Sequence, residues 1–134
     1  MGKDATRIGK GIGGNSKWKR KQEMKLHEYQ TLATQTAFYP GKRTITGITY
    51  LALKLNGEAG EVAEKIGKCL RDDNGKLTPE KRSALILELG DVLWYLANLS
   101  EELQTSLSDV AEANLKKLAS RKERGTQTGS GDNR

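Results

Sequence analysis

In 134 residues the chain has one cysteine, Cys69, and one histidine, His27. A lone thiol cannot close an internal disulfide, which excludes a small secreted scaffold built on such bridges. The same scarcity excludes a zinc cage of Cys and His ligands within one chain. No run of eighteen apolar residues occurs, so no segment reads as a membrane-spanning helix. The N-terminus is basic but lacks the apolar core of a secretory signal. These absences predict a cytoplasmic protein with no membrane contact, whose metal chemistry, where it has any, uses oxygen ligands. Hydrophobic residues are 35% and charged residues 30% of the chain, a polar composition that at this length suits a single domain.

The net charge of +6 is strongly localised. Lys3, Arg7, Lys10, Lys17, Lys19, Arg20, Lys21 and Lys25 stand against only Asp4 and Glu23, and the remainder of the chain is neutral. Residues 1–23 are rich in Gly and Lys, with little to bury, and read as an extended basic arm. An amphipathic domain follows over 24–125, and 126–134 form a polar tail.

Within the domain the apolar period is close to 3.6 and no strand alternation is present. Leu26, Tyr29, Leu32, Ala33, Thr36 and Ala37 mark a first helix, stopped by Tyr39-Pro40-Gly41. A second helix spans about Thr46 to Leu70, with Ile48, Leu51, Leu55, Ala59, Val62 and Ile66 on one stripe. The turn cluster Arg71 to Gly75 ends it. Thr78 is a good N-cap, and Pro79 suits the first helical position, where no amide donor is needed. Leu85, Leu89, Val92, Leu93, Leu96 and Leu103 belong to the third helix. Ser106-x-x-Asp109 resembles a capping box opening a fourth, which Gly125 closes. Four helices with short connections predict an all-α bundle.

Two acidic pairs lie on these helices: Glu58 and Glu61 on the second, Glu88 and Asp91 on the third. A spacing of three puts each pair on one helical face. Glu61 and Glu64 have Lys65 and Lys68 four residues on, the favourable order for a helical ion pair, and Glu58 has Lys54 four residues before it. Glu88 and Asp91 have no such neighbour, since residues 83–115 contain no Lys or Arg. Unpaired carboxylates at the edge of an apolar stripe repel one another and lose hydration. A hard divalent cation offsets both costs, and four carboxylates on facing helices suit Mg²⁺ or Mn²⁺. Gly57, Gly60 and Gly90 lie beside the acids, each about 1 kcal/mol worse than alanine inside a helix. They suggest close helix approach or ligand access.

The segment LKLNGEAGEVAEKIGK, then LILELGDVLWYLANLS, then NLKKLASRKERGTQTGSGDNR resembles the MazG-like nucleoside triphosphate pyrophosphohydrolases of the all-α NTP pyrophosphatase superfamily. That family carries EExxE on one helix and ExxD on the next. Glu58, Glu61, Glu88 and Asp91 match, whereas the first Glu of EExxE is Gly57 here. The resemblance covers Leu26 to Arg134 and implies hydrolysis of a (deoxy)nucleoside triphosphate to monophosphate and pyrophosphate, with Mg²⁺ as cofactor and Mn²⁺ able to substitute. It implies that Glu58, Glu61, Glu88 and Asp91 bind the metal, with Glu58 or Glu61 also orienting or deprotonating water. Asn114, Lys117 and Arg121 share one face of the fourth helix, and the resemblance directs that face to phosphate or sugar. Lys54, one turn before Glu58, is a further phosphate candidate. Tyr95, one turn after Asp91, is a candidate for stacking on a base. Relatives of this kind assemble as dimers or tetramers. Together with apolar residues on more than one helical face, that predicts a homo-oligomer, tetramer preferred, in which the fourth helix of one chain approaches a neighbour's site. The rival reading is a nucleic-acid-binding helical protein acting through Lys17-Trp-Lys-Arg-Lys21; the neutral body argues against it.

Overall fold

The structure is a computed structural model that describes residues 23–131. Nearly all of the basic arm, and with it the nucleic-acid reading, lies outside the described residues. The helices are α1 (Leu26–Gln35), α2 (Ile45–Asp73), α3 (Pro79–Glu102) and α4 (Leu107–Glu123), and the described residues contain no strand. No helix among them is long and apolar enough to cross a membrane.

Local chemistry sets the helix ends. Glu28 reaches back to accept from the Lys25 amide, 3.3 Å away, at the start of α1. Thr44 caps α2 by accepting from the Thr46 amide at 3.2 Å. Helix α2 continues three residues past Leu70, because Arg71, Asp72 and Asp73 all tolerate helical backbone. It stops at Asn74 and Gly75, which take φ of 51° and 75°, the left-handed conformation that closes a helix. Thr78 accepts from the Lys81 amide with Pro79 at the first helical position, and Ser106 and Asp109 form the expected reciprocal cap of α4.

Helices α2 and α3 form an antiparallel hairpin: Asp73 pairs with Lys81, Lys65 with Glu88, and Lys54 lies over Tyr95. The inner row of α2 runs Gly47, Leu51, Leu55, Glu58, Val62, Lys65 and Cys69. Steps of three and four keep these residues on one side of the helix. Ala59 and Ile66, expected on the stripe, are exposed. Glu58 and Lys65, both partly buried, turn inward in their place.

On the other side of α3, Ala33, Ala97 and Leu107 form a small core with Tyr29, Leu93 and Trp94 packed against it. Trp94 Nε1 donates to Thr36 Oγ1 at 2.8 Å, tying α1 to α3. Gln30, also buried, accepts from the Leu107 amide and donates to Glu101 and to the Thr105 carbonyl, so α1 holds the start of α4. Glu102 fixes the α1–α2 loop, accepting from Tyr39 Oη at 2.6 Å and the Arg43 amide at 2.8 Å. Helix α4 touches α1 and α3 but not α2. The fourth helix is thus anchored at its N-terminal turn rather than laid along the bundle, and most of its length is exposed.

Candidate active site and metal centre

Glu58 on α2 and Glu88 with Asp91 on α3 converge, each placing a carboxylate oxygen within 4.8 Å of the others. The antiparallel seam does this, since Glu58 and Glu88 occupy inner-row positions opposite one another. Their side chains are only 13% and 14% exposed. The donor set consists entirely of hard carboxylate oxygens, which fits Mg²⁺ or Mn²⁺ and does not fit a thiophilic metal. Glu61 joins from one turn along α2. Its carboxyl is held above the usual range by the charge of Glu88, then that of Glu58, and by partial desolvation.

Two lysines flank the acids. Lys54 Nζ lies 3.5 Å from Glu58 Oε1 and 5.9 Å from the centre of the Tyr95 ring. Tyr95 and Glu58 both favour its charged form. Lys65 does not pair with Glu61, the partner that helical spacing predicts. It crosses the seam to Glu88, with Nζ and Oε1 3.2 Å apart. Glu88 is therefore not without a cation, as the stretch without Lys or Arg implied; its partner comes from the facing helix. Lys68 does take its expected partner, Glu64, at 2.7 Å.

Tyr29 is a site neighbour that sequence reasoning placed only in the core. Burial raises its proton affinity, and so does the charge of Asp91. Burial chiefly raises the proton affinity of Tyr95, and the charge of Asp91 contributes to both phenols, one from α1 and one from α3. Trp94, by contrast, belongs to the core and meets Tyr95 edge-on with ring centres 4.9 Å apart.

A Cβ added to Gly57, Gly60 or Gly90 would meet nothing within 4 Å. Close helix approach within the chain therefore does not explain these glycines, and they leave the acidic face open. Among the described residues, α4, which carries the fourth-helix candidates, makes no contact with α2. Asn114 and Lys117 are exposed on α4. Arg121 is 9% exposed and donates to the Gly131 carbonyl at 3.3 Å, holding the tail against the helix. A cavity of about 680 Å³ lies elsewhere, between the α1–α2 loop and the end of α3, and shares no lining residue with the acidic cluster.

Residues 47–126 match the MazG nucleotide pyrophosphohydrolase domain, a span containing all four acids. The Gene 37 protein of Mycobacterium phage L5 is 50% identical over 114 residues, covering 83% of this chain and 100% of that protein. No solved structure matches. The chain belongs to the MazG nucleotide pyrophosphohydrolase family.

Proposed function

We propose that the protein is a divalent-metal-dependent pyrophosphohydrolase that cleaves (deoxy)nucleoside triphosphates between the α and β phosphates, acting on the cytoplasmic nucleotide pool. The observation that carries this reading is the convergence of Glu58, Glu88 and Asp91 from two helices, with Glu61 crowded against them. These side chains would hold Mg²⁺, or Mn²⁺ in its place. When bound, such an ion neutralises phosphate charge and acidifies water.

The chain's own groups account for the remaining requirements. Glu61, whose neighbours raise its proton affinity, is suited to take a proton from the attacking water. Lys54 stands at the edge of the cluster where a phosphate oxygen would emerge. Tyr95, which lies beside Lys54 at the edge of the acids, supplies an aromatic surface for a base or sugar. The products are a monophosphate and pyrophosphate, and no covalent enzyme intermediate is required.

The reading includes assembly. Leu53, Ile86, Leu87 and Leu89 on the hairpin are 69%, 60%, 70% and 55% exposed, an apolar surface that a second copy would cover. In that homo-oligomer, a dimer or tetramer, Asn114 and Lys117 would come to the phosphates from a neighbouring chain's α4, and Arg121 would act through the tail it holds. The deciding experiment is hydrolysis of the eight common triphosphates with Mg²⁺ and with Mn²⁺. Turnover of at least one, lost in Glu58→Gln, is expected. No turnover of any would overturn the reading.

A further inference from the structure

The inner row of α2 holds a lysine where the seam would accept an apolar side chain. Lys65 lies deeper than its neighbour Ile66. Glu61, one turn back on the same helix, is within the usual helical reach of Lys65. Lys65 instead contacts Glu88 across the seam. Glu88 is one of the three carboxylates that converge. Lys65 thus supplies charge to Glu88 from across the seam, as Lys54 does to Glu58 from its own helix.

We propose that Lys65 is an internal counter-ion: its ammonium holds Glu88 while no metal is bound, and competes with the divalent cation for that carboxylate. This rests on the reading of Glu58, Glu88 and Asp91 as a metal centre. An ion coordinated through Glu88 sits about 2.1 Å from its oxygen, and an ammonium contacting the same carboxylate is then only about 5 Å from a double positive charge. Repulsion at that distance, even well screened, weakens binding on the order of tenfold. Lys65 also has an exit, since its side chain is 39% exposed on a flexible stem and can swing to solvent. The competition therefore has two consequences. Without metal, Lys65 steadies a cluster of carboxylates that would otherwise repel. With metal, it lowers affinity, so the site fills at a higher metal concentration than the carboxylates alone would set.

Mn²⁺ binding without nucleotide tests this, read by the loss of the free-ion electron paramagnetic resonance signal. The proteins are the wild type, Lys65→Gln, Lys65→Arg and Lys68→Gln. Lys65→Gln is expected to bind Mn²⁺ roughly tenfold more tightly. Lys65→Arg keeps the charge, so its affinity should stay near that of the wild type. Lys68→Gln removes an equal charge from the Glu64 pair and controls for long-range effects. Melting adds a second readout: in EDTA, Lys65→Gln melts below the wild type, and Mn²⁺ raises it by a larger interval. Binding by Lys65→Gln that is no tighter than by Lys68→Gln, with the wild type binding normally, would overturn the counter-ion role alone. Absence of Mn²⁺ binding in every protein at millimolar concentration would overturn the metal centre, and this proposal with it.

Discussion

Glu61 on α2 and Glu88 on α3 repel across the seam: the charge of Glu88 is the largest influence on the Glu61 carboxyl and raises its proton affinity. Two carboxylates so placed lose stability together unless a cation or a proton offsets the repulsion. Metal-free, the pair is a local cost to the fold at neutral pH, retained because the positions serve something other than stability.

The first prediction follows from that cost. Glu61 is protonated more readily in the folded chain than in the unfolded one, where its ordinary value is 4.5. Its contribution therefore favours folding below that value and is lost as pH rises through the raised folded one. In EDTA at pH 7, Glu61→Gln should melt above the wild type. The difference should shrink towards zero as the pH is taken below the ordinary glutamate range. Thermal melts across pH check this, and a variant less stable than the wild type at pH 7 would contradict it.

Two glycine substitutions should move in opposite directions. At Gly47 a Cβ would meet the Gly41 carbonyl oxygen at 2.4 Å, so Gly47→Ala should cost about 1–3 kcal/mol in urea unfolding. At Gly90 a Cβ meets nothing within 4 Å among the described residues of the chain, and Gly90→Ala should gain up to ~1 kcal/mol from helix propensity. Should Gly90→Ala lose activity while gaining stability, the open face beside Asp91 is where substrate or a second copy enters.

Assembly can be tested by complementation. Asp91→Asn removes a carboxylate from the cluster, and Lys117→Ala removes a cation from α4, which does not touch α2 in its own chain. If α4 serves a neighbour's site, mixing the two inactive variants after subunit exchange should restore up to about a quarter of wild-type turnover, by statistical pairing of intact halves. No recovery, in a mixture shown by native mass spectrometry to contain hybrids, would separate α4 from the site.

Much of this architecture was legible because its signals are local. Thr78-Pro79, Ser106 with Asp109, and Asn74-Gly75 each fix a helix end through contacts within a few residues, and the acids show their shared faces through spacing alone. What escaped was set across helices. Helical pairing rules assign Lys65 to Glu61, and only the antiparallel register brings it to Glu88. Whether Glu58 and Lys65 or their neighbours Ala59 and Ile66 line the seam depends on how α2 is rotated against α3, which spacing along one helix does not reveal. Tyr29 lay hidden in an apolar stripe, since a tyrosine on such a stripe reads equally as core. The direction of α4 depends on Gln30 and on the loop at Thr105, neither of which carries a sequence signature.

The central claim, cleavage between the α and β phosphates by the Glu58, Glu61, Glu88 and Asp91 cluster, is tested most directly by ³¹P nuclear magnetic resonance of the products. With Mg²⁺ and a triphosphate that the protein turns over, the wild type should yield monophosphate and pyrophosphate in equal amounts. EDTA should stop the reaction. Asp91→Asn should lower its rate at least about a hundredfold while circular dichroism shows the helices intact. Diphosphate with inorganic phosphate as products, or near-normal turnover by Asp91→Asn, would contradict the account.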